Sequence, residues 1–220
     1  MRRFCHQSLF TLVLVAASSF VAARAEAQSL RSLLAAGKLR VVNRTASALS
    51  DTSRDGIRLD ERADDGFAWV PAVTLDVGTI DVDLRGRDVP QRSFIGIAFH
   101  GAADRSAEIV YLRPFNFRAT DTTRHKHAIQ YVALPAYGFQ RLRDERPDRF
   151  ENPVLPEPEA TAWVHLRVVV AADSVRAYVN GASTPSLSVP RLSTARGGDV
   201  GVWIGNNSDG DFANLRVGSR

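Results

Sequence analysis

Two carboxylates one residue apart, Asp81 and Asp83, are the first place where the sequence offers chemistry. On an extended strand such residues share a face with Cα atoms about 6.6 to 7 Å apart, a spacing from which a paired acid and nucleophile could be built. Arg85 follows on the same face with no second glutamate, so the trio also reads as a solvated, charged strand face. A second set gathers around Pro114: Arg113, Asn116 and Arg118, with His125, His127, Gln130, Tyr131 and Glu151 downstream. Planar hydrogen-bonding groups beside aromatic rings are what sugars require. Arg113, Asn116, Arg118, Gln130 and Tyr131 are therefore candidate substrate-binding residues, and Glu151, His127 and Asp83 candidate catalytic ones. The same residues equally fit a structural corner in which Arg113 or Arg118 pairs with Glu151 and the phenylalanines fill core.

His100, His125 and His127 lie near one another in sequence without an obvious acidic third ligand, so no metal site is expected there. The turn Asn206-Asn207-Ser208-Asp209-Gly210-Asp211 presents oxygens at alternating positions, as calcium loops do, but lacks their later glutamate. A structural calcium and a glycine-containing hairpin both account for it, and no other cofactor is expected. No nucleophile motif, phosphate-cradling loop or dinucleotide fingerprint is present.

The elements that must carry these groups alternate with period two. Ile80, Val82 and Leu84 point to one side and Asp81, Asp83 and Arg85 to the other. Further strands are expected at 41–43, 56–61, 93–100, 108–113, 127–132, 163–171, 174–180, 200–205 and 212–217, with a hairpin across 101–106 and a turn at Asn180-Gly181. Residues 30–34 allow a short helical turn. Residues 114–160 read as a proline-rich, loop-dominated stretch, the kind of segment that carries function or moves. Many short strands with almost no helix specify two packed antiparallel sheets or a closed barrel.

Residues 1–27 have a secretory layout: Arg2 and Arg3, an apolar run over 9–23, and Ala25-Glu26-Ala27 as a cleavage site. The domain plan is thus a signal peptide at 1–27, an N-terminal segment at 28–38 and one β domain at 39–220, secreted or periplasmic and without membrane contact after cleavage. Cys5, the sole cysteine, would leave with the signal, so no disulfide is expected. The net charge of +4 comes from arginines interleaved with aspartates, which gives no support to a nucleic-acid partner. The oligomeric state is not legible.

Four segments carry a family resemblance: 163–170 (Trp-Val-His-Leu-Arg-Val-Val-Val), 175–181 (Val-Arg-Ala-Tyr-Val-Asn-Gly), 201–205 (Gly-Val-Trp-Ile-Gly) and 210–217 (Gly-Asp-Phe-Ala-Asn-Leu-Arg-Val). With 78–84 and 94–99 they resemble the concanavalin A-like lectin/glucanase superfamily, especially its laminin-G-like and 3-keto-disaccharide-hydrolase-like bacterial branch, over roughly residues 56–217. The resemblance implies an all-β, two-sheet antiparallel jelly-roll sandwich with carbohydrate as partner. It also implies either a glycoside hydrolase of the 3-keto-disaccharide hydrolase type or a non-catalytic envelope adhesion or protein-interaction module, since one fold hosts both. Laminarinase-type members carry Glu-x-Asp-x-x-Glu on the strand where Asp81 and Asp83 lie, a pattern broken here.

Overall fold

The computed structural model describes residues 26–51, 54–102 and 106–219. Its strands run β1 (Glu26–Gln28), β2 (Arg40–Val42), β3 (Ala46–Ala48), β4 (Gly56–Arg62), β5 (Gly66–Thr74), β6 (Gly78–Arg85), β7 (Ile95–Gly101) and β8 (Ala107–Leu112). They continue as β9 (Ile129–Leu134), β10 (Glu151–Asn152), β11 (Val164–Val170), β12 (Ser174–Val179), β13 (Leu187–Pro190), β14 (Asp199–Ile204) and β15 (Ser208–Ser219). Three short helices, α1 (Leu30–Ala35), α2 (Thr122–Lys126) and α3 (Phe139–Glu145), decorate them.

The strands form two antiparallel sheets, one in the order β13-β12-β11-β6-β15-β4-β3 with β1 added beside β15, the other β10-β9-β8-β7-β14-β5-β2. Alternation sends Ile80, Val82 and Leu84 of β6 and Leu166, Val168 and Val170 of β11 into the shared interior. Ile95, Ile97 and Phe99 of β7, Val110 and Leu112 of β8, and Val202 and Ile204 of β14 fill it from the other sheet. Each such side chain contributes about 1.5–3 kcal/mol on full burial. The two-layer, all-β architecture is the one the period-two patterning predicts.

Residues 114–160 depart from the loop expected. Asp121 caps α2 by accepting from the Arg124 amide, and α3 buries Leu142 against the sheet while Gln140–Asp144 and Arg141–Glu145 pairs, four residues apart, line its outer side. The strand expected from His127 begins at Ile129 because His127 closes α2. Most of the expected signal segment, including Cys5, lies outside the described residues, as do 103–105 of the expected hairpin turn. Glu26 and Ala27 lie in β1, paired with Val217 and Arg216, and Leu30 of α1 is fully buried.

Candidate functional site

The seven-stranded sheet has a second face, turned away from the interior, and one cross-strand row on it carries the chemistry. In register across five neighbouring ladders lie Phe67 (β5), Trp203 (β14), Gly96 (β7), Tyr111 (β8), Gln130 (β9) and Glu151 (β10). Gly96 brings no side chain, so the rings on either side of it meet: Trp203 and Tyr111 have centroids 4.9 Å apart. A Cβ at Gly96 would lie 2.2 Å from the Val110 carbonyl oxygen and 2.6 Å from the Tyr111 Cα. Gly96→Ala is therefore expected to cost about 1–3 kcal/mol, the range for overpacking. Urea denaturation measures this, and a variant as stable as the parent would remove the packing argument.

Arg113 follows Tyr111 by two residues and so rises from the same face. Its guanidinium donates to Glu151 Oε2 at 3.0 Å, to the His127 carbonyl at 2.8 Å, to the Tyr111 hydroxyl at 2.7 Å, and to Gln130 Oε1. Arg113, Gln130 and Glu151 are all at most 4% exposed, so each charge is taken out of water against a partner. Burial pushes the Tyr111 hydroxyl up to about 12, the Arg113 charge opposing the shift and the Glu151 charge adding to it. The hydroxyl stays protonated and donates to Gln130 Oε1.

Helix α3 lays Arg143 over the same carboxylate. Its Nε donates to Glu151 Oε1 at 3.0 Å and its Nη2 to Oε2 at 3.1 Å, a bidentate clamp. Nη2 is also 3.2 Å from His127 Nδ1. A guanidinium only donates, so Nδ1 accepts and the neutral ring carries its proton on Nε2, facing Glu151 at 3.5 Å and Asp148 at 3.7 Å. Burial lowers the His127 imidazole, Glu151 opposes this, and Arg143 and Arg113 add to the lowering. Asn116 completes the arrangement, its Nδ2 donating to the His127 carbonyl at 3.2 Å and its Oδ1 accepting from Arg124 Nε at 3.3 Å.

In front of this network opens a cavity of about 360 Å³ walled by Phe94, Tyr111, Trp203, Arg113, Arg124 and Arg143 among others. A second hollow of about 440 Å³, bordered by Val132, Leu134, Pro135 and Ala136, shares Tyr111, Trp203 and Phe139 with the first. The pair forms one groove. Phe139, at the start of α3, is 50% exposed on its rim. The Trp203 indole Nε1, in a residue 5% exposed, has no hydrogen-bond partner among the described residues.

Of the residues the sequence nominates, Arg113, Asn116, His127, Gln130 and Glu151 come together here. Three do not. Arg118 turns away after the 3₁₀ turn Pro114–Asn116 and pairs with the exposed Glu159. Tyr131 points into the interior, because its neighbour Gln130 points out, and its hydroxyl donates to the buried Glu108. That carboxylate also takes Arg191 Nη2 at 2.6 Å and His100 Nδ1 at 2.7 Å. Asp83 lies on the outward face of the other sheet and shares no site with Glu151 or His127. Sequence reasoning missed Arg124, Arg143 and Phe139, which sit on the unforeseen helices, and Trp203 of β14.

On that other face His165, directly opposite Asp83, bridges the two aspartates, Nδ1 to Asp83 at 2.8 Å and Nε2 to Asp81 at 3.1 Å. Burial alone would raise the Asp81 carboxyl, but hydrogen bonds from His165 and Arg167 outweigh it and hold it low. The hydrogen bond to Asp81 raises His165, burial opposes this, and Asp83 raises it further. The two histidines should thus titrate on opposite sides of the ordinary 6.5. Below that pH the unfolded chain protonates at His127 before the folded one, so this contribution to stability falls on acidification. At His165 the folded chain keeps the proton longer, so its contribution is present below 6.5 and fades as pH rises through the elevated value. Imidazole ¹H–¹⁵N correlation spectra across pH 4–9 check this, and a common midpoint for both rings would refute it.

The acidic turn holds no free oxygen cage. Asp211 is clamped by Arg58 at 2.7 Å and by Arg85 at 2.7 Å, and Asp209 pairs with Arg58 and Arg87. Among the described residues no three His, Cys, Asp or Glu side chains are grouped to hold a metal. The Asp209 and Asp211 carboxylates serve as cross-strand counter-ions for β4 and β6 instead.

No family model matches the chain, and no curated protein matches it. Solved structures do. The carbohydrate binding module CBM66 from Bacillus subtilis is 14% identical, with a TM-score of 0.57 over 81% of this chain and 93% of that one. A Bacillus subtilis protein of unknown function with a galectin-like fold is 13% identical, TM-score 0.60, over 88% and 94%. The VIP36 exoplasmic/lumenal domain, in a Ca²⁺/Man₃GlcNAc-bound form, is 12% identical, TM-score 0.54, over 87% and 89%. The fold is a two-sheet antiparallel jelly-roll sandwich. At such identities the likeness is one of architecture, and what the jelly roll binds must be argued from its own groove.

Proposed function

We propose that this jelly roll recognises a carbohydrate in the groove on the outward face of its seven-stranded sheet. One observation carries the reading: the half-exposed Phe139 ring stands over a wall of Tyr111 and Trp203, beside planar donors fixed by Glu151 and Asn116. Aromatic faces for the sugar's C–H surfaces and preset donors for its oxygens are the two needs of such a site. Similarity of fold to a carbohydrate binding module and to the Man₃GlcNAc-bound VIP36 exoplasmic/lumenal domain supports it. A flat surface over 114–158 would have favoured a protein-interaction module; a groove is present instead.

Binding, rather than hydrolysis of the 3-keto-disaccharide type, is the better fit. Glycoside hydrolysis needs two carboxyl groups flanking the bond. No carboxylate lines the first cavity, Asp65 alone borders the second, and Glu151, behind the wall, is held by three guanidinium hydrogen bonds, from Arg113 and Arg143. Asp209 and Asp211, the acidic side chains a calcium in the acidic turn would need, are each paired with two arginines. Export through the segment at 1–27 belongs to the proposal, and no described helix is long and apolar enough to cross a membrane.

Glycan-array binding followed by calorimetry tests the reading. Phe139→Ala, an exposed-site change, is expected to weaken the best ligand about tenfold or more, from loss of ring contact. A chain that binds no saccharide, or a variant that binds as the parent does, would overturn it.

A further inference from the structure

We infer that the saccharide taken by this groove is anionic, bearing a carboxylate or sulfate over the cavity walled by Arg113, Arg124 and Arg143. The inference rests on the carbohydrate reading above and narrows it to a substrate class.

Charge is the first argument. Three guanidiniums line the 360 Å³ cavity and no aspartate or glutamate does; in the second hollow Asp65 is accompanied by Arg141. Arg113 and Arg143 share the one carboxylate of Glu151 behind the wall, so together they retain a net positive charge. The Arg124 guanidinium has no carboxylate partner among the described residues. Its Nε and Nη2 donate to neutral oxygens, Asn116 Oδ1 at 3.3 Å and the Phe115 carbonyl at 3.0 Å. Those two bonds fix its fork without neutralising it. A guanidinium held in that way is prepared for a planar anion.

Hydrogen-bond polarity is the second and is independent of charge. Among the described residues the Trp203 Nε1–H is a donor without an acceptor, in a residue 95% removed from solvent. An unsatisfied buried donor costs about 1–3 kcal/mol, a penalty removed when a ligand brings an acceptor. Sugar hydroxyls offer donors and acceptors alike, whereas carboxylate and sulfate oxygens only accept. With arginines and an orphan indole around it, the cavity selects the second kind.

Isothermal titration with three matched ligand sets tests this: oligouronides, the same oligosaccharides after carboxyl reduction, and neutral oligosaccharides carrying sulfate esters. The carboxyl-reduced set is expected to bind at least tenfold more weakly than the oligouronides. Arg124→Gln, at an exposed position, should erase that difference, and raising ionic strength should weaken only the anionic ligands. Tight binding of the sulfated set with weak binding of the uronides supports the inference and names sulfate as the source of charge. Equal affinity for neutral and anionic ligands overturns it while the carbohydrate reading stands. Absence of binding to all three overturns both.

Discussion

Glu151→Ala is expected to destabilise the chain by about 3–5 kcal/mol, the range for breaking a buried ion pair from one side. Its carboxylate is 3% exposed and receives three guanidinium hydrogen bonds, at 3.0, 3.0 and 3.1 Å. Arg143, with 35% of its side chain exposed, can swing into water when the carboxylate is gone. Arg113 cannot. Its side chain is 4% exposed and hemmed in by Tyr111, Gln130 and the His127 carbonyl, so a whole positive charge is left buried among neutral acceptors. Equilibrium denaturation should show a lowered midpoint with an unchanged slope. Because the lost anchor also frees α3, saccharide affinity should fall with it. A loss under 1 kcal/mol would mean that Arg113 is hydrated, and the wall of the groove would have to be redrawn.

Arg191→Met is the second large effect, with a different signature. Arg191 is the counter-ion of Glu108, the two side chains being 3% and 1% exposed at one end of the interior between the sheets. His100 and the Tyr131 hydroxyl bond the same carboxylate. Methionine fills the volume but leaves the carboxylate without its strong cation, at a cost again of about 3–5 kcal/mol. None of these four residues reaches the groove, so affinity for the saccharide at a temperature where the variant is folded should be unchanged. Loss of affinity in Arg191→Met would indicate that the two faces of the seven-stranded sheet are coupled.

How much of this was readable without coordinates depends on parity. Alternation at Ile80, Val82 and Leu84 names the apolar side of β6 outright, since its other side carries Asp81, Asp83 and Arg85. It fails for β7 and β8, every residue of which is buried, so that neither side of the strand stands out as the wet one. Five of the eight nominated residues share one network because residues 113–151 fold back on themselves through β9 and β10. Parity could have excluded Tyr131 once Gln130 was set outward. Arg118 escapes the same logic because the 3₁₀ turn at Pro114–Asn116 resets the period. Asp83 shows what no local pattern contains: alternation assigns a side chain to a face, but only the strand order says to which sheet that face belongs. Arg143 and Phe139 were hidden by brevity, a helix of seven residues among prolines leaving too few turns for a periodic signal.

The contact of Trp203 with Tyr111 across Gly96 gives the chain a built-in optical probe. Phenol-to-indole energy transfer over that separation makes Trp203 emit when Tyr111 absorbs, and an acceptor arriving at the indole nitrogen shifts the emission to longer wavelength. Filling of the groove can therefore be followed by fluorescence without a dye, against the steady background of Trp69 and Trp163.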